Sequence, residues 1–257
     1  MEDTKLLIDG KTFNSRLIMG TALFPNVSLL NKSLTKSQTE IVTISMRRLN
    51  VTKKDFFFDQ IDKRYTFLPN TSGCYTKKEA ILTAELSRES LDTDWIKLEL
   101  ISEDEMLLPD PIELFQTCEE LVKKKFKVFA YCSDDPILCK RLEEVGCEVV
   151  MPLISPIGSG LGVRNKHNLE IIREVCSGLL FVDAGIGSPS DACKVMELGF
   201  DGVMLNSSVA RSLDPVLMAD AMRLAVLSGR KSFISGAIEK TKKAVRSTPF
   251  KGKISNF

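Results

Sequence analysis

The chain has 257 residues, of which 44% are hydrophobic and 27% are charged, and its formal net charge is +1. This length allows one large domain, and the balanced charge provides no bulk field that would attract nucleic acid or an anionic membrane. No apolar run approaches the roughly 20 residues of a membrane-spanning helix, and the acidic start Met1–Lys5 lacks the basic-then-apolar order of a secretory signal. We therefore expect a cytoplasmic globular protein that binds neither nucleic acid nor membrane.

The cysteines and the single histidine limit which disulfides and metal sites the chain can form. The seven cysteines are odd in number, scattered and without a C-x-x-C pair, which is typical of reduced thiols in a cytosol. His167 is the only histidine of the chain. A metal site built on a histidine pair is therefore excluded, and we predict that His167, at the start of a helix, is a surface residue.

The first part of the chain alternates predicted strands with less regular segments. Lys5–Phe13 is typical of a small hairpin that turns at Asp9-Gly10. Residues 50–65 are charged and irregular, and we predict a loop with some helix there. The other elements predicted in this part are a strand at Arg16–Thr21, a weak helix at 28–37, a strand at Glu40–Met46, a strand broken by Pro69 at Thr66–Asn70, and a helix at Lys77–Leu91.

From Trp95 onward the boundaries of the elements are regular. A strand at Trp95–Ile101 comes first, and most of the helices after it begin at a capping residue followed by proline. The predicted strands are Lys127–Ser133, Glu148–Leu153, Gly178–Asp183 and Gly202–Asn206. The predicted helices begin at Asp110-Pro111, Asp135-Pro136, residue 165, Ser188-Pro189 and Asp214-Pro215, the second ending at Gly146 and the fourth at Gly199.

These elements form eight successive strand-then-helix units. Such alternation favours a parallel sheet, and eight units that close on themselves form a (β/α)8 barrel with its active site at the carboxyl ends of the strands. The alternative, an open doubly wound sheet, usually has a glycine-rich phosphate turn after its first strand, and Gly20–Leu23 is not one. We predict an α/β TIM barrel formed by one domain over residues 1–257. An N-terminal hairpin, over about residues 1–15, would cover the amino-terminal end of the barrel, and a basic, mobile tail would span about residues 240–257.

The strand Trp95–Ile101 carries the most informative side chains. Side chains of a strand alternate between two faces, so Lys97 and Glu99 share a face with Trp95. A buried lysine can lose its proton and act as an amine nucleophile, whereas an edge strand would carry the same pair as a solvated stripe. Within a barrel, both side chains would enter the lumen near the carboxyl end of the fourth strand, where barrel enzymes keep catalytic groups.

Three turns follow the last three predicted strands. They are residues 155–162, which include three glycines, residues 183–187, which include two, and Asn206–Ser208. In barrels such turns often bind phosphate through exposed backbone N–H groups, although flexible loops have the same pattern. Asp183 ends an apolar strand, and it is either a cap of its own turn or an acid/base partner of Glu99 across the lumen.

Arg47 and Arg48 follow the second barrel strand. Two adjacent cations at the carboxyl end of a strand would suit an anionic ligand. They are equally consistent with solvated surface charges, and the sequence does not decide between these readings.

The motifs together carry a resemblance to a known family. They are Gly20-Thr21, Thr43–Asn50, Leu68–Gly73, Trp95–Glu99, Leu108–Pro111, Ser133–Pro136, Met151–Leu153, Pro156–Gly162, Asp183–Gly187 and Asn206. In this order they closely resemble the thiazole synthases of bacterial and plastid thiamin biosynthesis. The resemblance extends from about Leu6 to Arg230, and several of the motifs are long and specific.

The resemblance implies a (β/α)8 barrel that acts as a sulfur-transferring enzyme, a transferase. Such an enzyme makes the thiazole phosphate of thiamin from 1-deoxy-D-xylulose 5-phosphate, dehydroglycine and a sulfur-carrier protein with a C-terminal thiocarboxylate. By match to Trp-Ile-Lys-Leu-Glu, Lys97 resembles the Schiff-base lysine of the family and Glu99 an acid/base residue. By match to Asp-Ala-Gly-Ile-Gly, Asp183 resembles the second acid/base residue. The family's substrate-binding positions fall on Gly158, Ala184, Gly185, Asn206 and Ser207.

The same resemblance implies no metal and no organic cofactor, and a homo-oligomer that is either a dimer or a tetramer. Some residues depart from the family's commoner ones, among them the loop Ala22–Asn26 and the pair Ser207-Ser208. Two other functions are considered. A Schiff-base aldolase for another sugar phosphate would share the lysine and the phosphate turns, and a non-catalytic barrel would only dock the sulfur carrier.

Overall fold

The computed structural model describes residues 4–48 and 60–248, without the side chain of Arg48. Two short strands, β1 (Leu6–Ile8) and β2 (Lys11–Phe13), form an antiparallel hairpin. The strands that follow are β3 (Leu17–Gly20), β4 (Ile41–Ser45), β5 (Thr66–Asn70), β6 (Trp95–Leu98), β7 (Lys127–Cys132), β8 (Val149–Pro152), β9 (Leu179–Asp183) and β10 (Gly202–Leu205). The helices are α1 (Val27–Ser37), α2 (Lys77–Leu91), α3 (Pro111–Lys123), α4 (Pro136–Glu144), α5 (Lys166–Val175), α6 (Pro189–Glu197), α7 (Ser207–Ala210) and α8 (Pro215–Ser235).

Strands β3 to β10 are parallel and close into a barrel in the order β10-β3-β4-β5-β6-β7-β8-β9. The predicted TIM barrel with an N-terminal hairpin is confirmed, and the open doubly wound sheet is wrong. No helix within the described ranges combines the length and apolarity that crossing a membrane requires.

The helices begin where the sequence places a capping residue. The Asp110 side chain accepts hydrogen bonds from two backbone N–H groups of the first turn of α3, both at 2.9 Å. Asp135 and Asp214 cap α4 and α8 in the same way, each followed by proline. Gly146 and Gly199 lie just beyond α4 and α6 with φ of 99° and 88°, a left-handed conformation that ends a helix at little cost for glycine.

The predicted break of β5 at Pro69 is wrong. All five residues of this strand are in register with β4. Successive N–H groups of a strand point to opposite neighbours, and here Thr66 donates to Glu40 before β4 while Thr71 donates to Lys97 of β6. Position 69 therefore faces β6, and the missing N–H of Pro69 removes a hydrogen bond only on that side.

The pairing of β5 with β6 is correspondingly short. It consists of Asn70 opposite Lys97, and β6 ends at Leu98, three residues before the end predicted at Ile101. Of the loop with some helix predicted at 50–65, residues 50–59 lie outside the described residues. Gln60 is in a 3₁₀ helix, and residues 61–65 form turns and bends.

The barrel strands separate two apolar cores. Ile96 and Leu98 of β6 face outward and pack with the helices, whereas Trp95 faces the lumen, as alternation predicts. The lumen core is closed at its amino-terminal end by the hairpin, whose Phe13 ring lies 5.9 Å from that of Trp95. The members of the lumen core are Leu6, Ile8, Phe13, Ile18, Ile41, Leu68, Trp95, Phe129, Val149, Met151, Phe181 and Met204.

Asp9, at the tip of the hairpin, joins it to the barrel. Its Oδ2 accepts from the indole Nε1 of Trp95 at 3.0 Å, and its Oδ1 lies 2.9 Å from Lys127 Nζ. The hydrogen bond from Trp95 and then the contact with Lys127 lower the pKa of Asp9. The ionised carboxylate therefore stabilises the fold. This contribution is present above the unfolded-state pKa of Asp9 and is lost as the pH falls through its folded-state pKa.

We expect Asp9→Ala to lower the free energy of unfolding by about 1–3 kcal/mol, because it leaves the buried indole N–H of Trp95 without an acceptor. Asp9→Asn keeps an acceptor and should lose about 1 kcal/mol, with a weaker dependence on acid. Urea unfolding at neutral and acidic pH measures both effects. Glu85→Ala, which breaks the exposed ion pair with Lys124, is the control and should change stability by less than about 0.5 kcal/mol. A loss no larger for Asp9→Ala than for Glu85→Ala would contradict the anchoring role.

Candidate active site

A cavity of about 550 Å³ lies at the carboxyl ends of the barrel strands. Residues of β3, β4, β5, β6, β9 and β10 line it, together with the loops that follow β3, β8, β9 and β10. The predicted site residues that line it are Lys97, Glu99, Gly158, Asp183, Ala184, Gly185, Asn206 and Ser207. The structure thus brings all of them to one place, and their individual roles stay predictions.

Lys97 lies between two carboxylates in this cavity. Its Nζ donates a hydrogen bond to Glu99 Oε1 at 2.7 Å and lies 2.6 Å from Asp183 Oδ2. The exposed fractions of Lys97, Glu99 and Asp183 are 3%, 7% and 7%. The reading of Lys97 and Glu99 as a solvated stripe on an edge strand is therefore wrong, and Asp183 faces this pair from the other side of the lumen. We call these three residues the charged triad.

Burial and charge act in opposite directions on the triad. Burial lowers the pKa of Lys97, but the Asp183 and Glu99 carboxylates outweigh it and hold this pKa above the ordinary lysine value. Burial raises the pKa of Asp183; the Lys97 ammonium opposes this rise, Glu99 adds to it, and the net shift is upward. The resting form of Lys97 is therefore an ammonium, and Asp183 takes up a proton more readily than an exposed aspartate does.

Thr71 fixes the backbone of the triad where strand pairing has ended. Its N–H donates to the Lys97 carbonyl at 3.1 Å. Its hydroxyl donates to the Glu99 carbonyl at 2.7 Å and accepts from the Glu99 N–H at 2.9 Å. Thr71 is fully buried. Glu99, one residue beyond β6, thus keeps the direction it would have in a continued strand.

Tyr131 of β7 is a further neighbour of Lys97 that the sequence analysis missed. Lys97 Nζ lies 5.7 Å from the centre of its ring, within the range of a cation–π contact. Burial and then the Asp183 and Glu99 charges raise the pKa of the Tyr131 hydroxyl, which therefore stays neutral. The sequence did contain a signal for it: Tyr131 lies two residues after Phe129, so both rings fall on the lumen face of β7.

The glycine turns after β8 and β9 pack tightly against each other. Gly185 has a φ of 88°, and a Cβ there would collide with the backbone of Ser155, while a Cβ at Gly187 would collide with the carbonyl of Gly160. These glycines are needed for the close approach of the two loops. Ala184 also has a positive φ, of 68°, which is uncommon for a residue with a side chain. The turn that lines the cavity is thus held in a strained form by its surroundings.

Arg211 completes this side of the cavity, and the sequence analysis did not identify it. It follows the short helix α7, and its Nη1 lies 3.5 Å from the position that a Cβ on Gly158 would occupy. The Ser207 hydroxyl is 3.7 Å from the same position. Among the described residues that line the cavity, Arg211 is the one cation besides Lys97. The signal in the sequence was an arginine three residues after Asn206–Ser208, the turn predicted to bind phosphate.

The remaining charged candidates lie outside the cavity. Arg47 is exposed, and its guanidinium packs against the backbone of Gly73. His167 is an exposed residue in the first turn of α5, as predicted. The side chain of Arg48 is outside the described residues. In the described part of the chain, no three or more His, Cys, Asp or Glu residues are grouped so as to hold a metal ion.

Comparisons with known proteins match this chain over nearly its whole length. A family model described as "Thiazole biosynthesis protein ThiG" matches residues 7–249. The thiazole synthase of Geobacter sulfurreducens is 46% identical over 253 residues, which cover 97% of this chain and 97% of the relative. That of Aquifex aeolicus is 46% identical over 255 residues, which cover 98% and 96%. A chain of the solved Amycolatopsis orientalis BexX/CysO complex superposes with a TM-score of 0.84 at 26% identity, covering 94% of this chain and 100% of that one.

The charged triad makes stability depend on pH in a predictable direction. Lys97→Met leaves Glu99 and Asp183 buried with like charges and should lower the free energy of unfolding by about 3–5 kcal/mol at about pH 8. Without the cation, the pKa of Asp183 rises further above its unfolded-state value. A neutral Asp183 then favours the fold at low pH, and this stability is lost as the pH rises through the folded-state pKa.

Urea unfolding at about pH 5 and about pH 8 measures this dependence. The double variant Lys97→Met/Asp183→Asn is the control, because it retains only one of the two carboxylates and should depend less on pH. An equal loss of stability for Lys97→Met at both pH values would show that the two carboxylates do not interact.

Proposed function

The chain belongs to the thiazole synthase family of thiamin biosynthesis, and we propose that it uses Lys97 as the Schiff-base nucleophile of that reaction. The proposed substrates are 1-deoxy-D-xylulose 5-phosphate, dehydroglycine and the C-terminal thiocarboxylate of a sulfur-carrier protein. The enzyme would then be a sulfur-transferring transferase. The observation that carries the proposal is a buried lysine, held between two carboxylates, in the main cavity of the barrel.

The first proposed step is imine formation at the ketone of the sugar phosphate. The Lys97 amine adds to C2 of the ketose, and the adduct loses water to give the imine. The amine must first lose the proton that the triad stabilises. Asp183 is the proposed acceptor, because it lies 2.6 Å from Lys97 Nζ and its pKa is raised by burial. Taking the proton also removes a negative charge that would otherwise favour the ammonium.

Proton transfers along the carbon chain are the next proposed role of the triad. An imine at C2 makes the neighbouring C–H acidic, so carboxylates with modestly shifted pKa values suffice as bases. Glu99 and Asp183 approach Lys97 Nζ from different strands, at 2.7 Å and 2.6 Å. They are therefore placed to act on different atoms of the bound substrate. We assign them as the two acid/base residues.

The phosphate would bind at the side of the cavity formed by the turns after β8, β9 and β10. Gly158, Gly185, Asn206 and Ser207 line this side. The backbone N–H groups of the glycine turns are suitable donors, and Arg211 supplies a positive charge. Barrels commonly bind phosphate at these positions.

A protein partner is the proposed source of sulfur. The chain that superposes on this one belongs to a solved BexX/CysO complex, which supports a protein partner for this chain as well. We propose that the partner here is the sulfur carrier and that the enzyme is a homo-oligomer, a dimer or a tetramer. A Schiff-base aldolase would share the lysine but would not require the carrier. A non-catalytic docking barrel would form no imine.

The imine can be trapped directly. Borohydride added to the protein with 1-deoxy-D-xylulose 5-phosphate should reduce the imine and add the sugar phosphate covalently, with the modified peptide containing Lys97. Lys97→Ala should not be labelled, and neither should Lys97→Arg, because a guanidinium stays protonated at working pH. Mass spectrometry of the intact protein and of its peptides is the measurement. Labelling of Lys97→Ala, or label at another lysine in the wild type, would refute the assignment.

The role of Arg211 can be tested with two ligands. Arg211→Gln should raise the half-saturating concentration of 1-deoxy-D-xylulose 5-phosphate for trapping by about tenfold, since about 1.4 kcal/mol of binding free energy is lost. Dephosphorylated 1-deoxyxylulose should be affected by less than about twofold, equivalent to about 0.4 kcal/mol. Arg211→Lys keeps the charge, and its half-saturating concentration for the sugar phosphate should fall between those of the wild type and Arg211→Gln. Equal losses for the two ligands would mean that Arg211 shapes the cavity and does not bind phosphate.

A further inference from the structure

A second polar region of the cavity lies opposite the glycine turns. Thr43 and Ser45 belong to β4, Asn70 ends β5 and Ser72 follows it, and all of them line the cavity. We call these four residues the polar wall. In the barrel order, β4 lies opposite β8 and β5 opposite β9. The polar wall and the proposed phosphate side therefore face each other across the lumen, with Lys97 between them.

Two hydrogen-bond donors of the polar wall each keep one hydrogen for a ligand in the cavity. The Ser72 N–H donates to Asn70 Oδ1 at 3.2 Å, which orients the amide so that Nδ2 donates to Thr43 Oγ1 at 3.2 Å. The Thr43 oxygen is thus an acceptor, and its own O–H is left to donate elsewhere. The second N–H of Asn70 is likewise available. Within the described part of the chain, no acceptor is found for the Thr43 hydroxyl, and Thr43 Oγ1 is the one acceptor of Asn70 Nδ2. Both residues line the cavity with only 5% and 9% of their surface exposed.

Buried donors of this kind favour a ligand that brings oxygen acceptors. A hydrogen bond is stronger in a poorly exposed site than at an exposed surface, so an acceptor placed between Thr43 and Asn70 gains more than it would outside the cavity. Asn70 pairs with Lys97 on the neighbouring strand, so such a ligand would lie beside the reacting nitrogen. The ligand is therefore expected to be small and to carry oxygen acceptors.

The ketose phosphate itself offers nothing to this wall. Its phosphate is on C5 and its carbonyl is C2, so the C3 and C4 hydroxyls lie between these two positions. When the phosphate is at the glycine turns and C2 is bonded to Lys97, only the C1 methyl group extends beyond Lys97. A methyl group makes no use of a hydroxyl and an amide. The wall is thus available for the second small-molecule reactant. This conclusion rests on the proposed function, which requires such a reactant.

We propose that the polar wall binds the carboxylate of dehydroglycine, a small α-imino acid, through the Thr43 hydroxyl and the Asn70 amide. A carboxylate accepts from both donors at once, and no acidic side chain lines this wall among the described residues. Ser45 and Ser72 are further donors at its outer part. Binding at this wall places the imino carbon next to the sugar carbon chain on Lys97, which is the encounter that the proposed reaction requires.

The test separates the two small reactants. Glyoxylate with excess ammonium condenses, with loss of water, to dehydroglycine. Thiazole phosphate formation is then measured against glyoxylate at saturating sugar phosphate and carrier thiocarboxylate. Thr43→Val, which keeps the shape and removes the hydroxyl, should raise the KM for glyoxylate at least about tenfold, equivalent to about 1.4 kcal/mol. Thr43→Ser should restore most of this loss. Borohydride trapping of the sugar phosphate should keep its half-saturating concentration within about twofold in Thr43→Val.

An unchanged KM for glyoxylate in Thr43→Val would overturn the proposal, and so would an equal rise for glyoxylate and for the sugar phosphate. Successful trapping shows that the variant has folded with an intact triad. If Thr43→Val fails to trap, Ser45→Ala is the second variant, and it should raise the glyoxylate KM in the same direction by a smaller factor. A wild-type protein that traps no sugar phosphate would instead refute the proposed function, and with it the premise of this inference.

Discussion

The ion pairing of Lys97 with two buried carboxylates is the constraint on which the site depends. Burial alone would lower the pKa of a lysine in this position and raise that of a carboxylate, so each charge depends on the others. Together, Glu99 and Asp183 keep Lys97 an ammonium, and burial raises the pKa of Asp183. The nucleophile is therefore stored in its unreactive form beside a group able to accept its proton. In the proposed function, imine formation then depends on a proton shared within the triad.

The barrel makes this arrangement possible by dividing its lumen into two parts. At the amino-terminal end, the hairpin and Trp95 fill the lumen with apolar side chains. At the carboxyl end, the same strand faces carry Lys97 and Asp183, and the lumen is open enough to hold a ligand. The buried charges are supported by backbone contacts as well. Beyond Pro69 of β5, regular pairing between β5 and β6 is short. The Thr71 hydroxyl bonds the Glu99 backbone in its place and so keeps Glu99 directed at Lys97.

Much of this was predictable from local patterns, and the remainder depends on contacts between distant segments. Alternation along single strands was enough to place Lys97 and Glu99 in the lumen, and capping residues set the helix boundaries. Strand order was also enough to bring Asp183 to the same cavity. Tyr131, Thr71 and Arg211 were missed because their importance comes from what they touch on other strands and loops. The continuous β5 was missed because a strand tolerates proline only where the neighbouring strand does not require the missing N–H as a hydrogen-bond donor. The sequence does not show which neighbour position 69 faces.

The pH dependence of trapping tests the central claim most directly. The initial rate of borohydride trapping of 1-deoxy-D-xylulose 5-phosphate reports the fraction of Lys97 present as the free amine. Asp183 raises the pKa of Lys97, so in Asp183→Asn this pKa should fall, and the rise of the trapping rate with pH should begin at a lower pH than in the wild type. The wild type should reach the same fraction of its maximum only at higher pH. Superimposable pH profiles for the two proteins would show that the carboxylate does not control the lysine and would contradict the account.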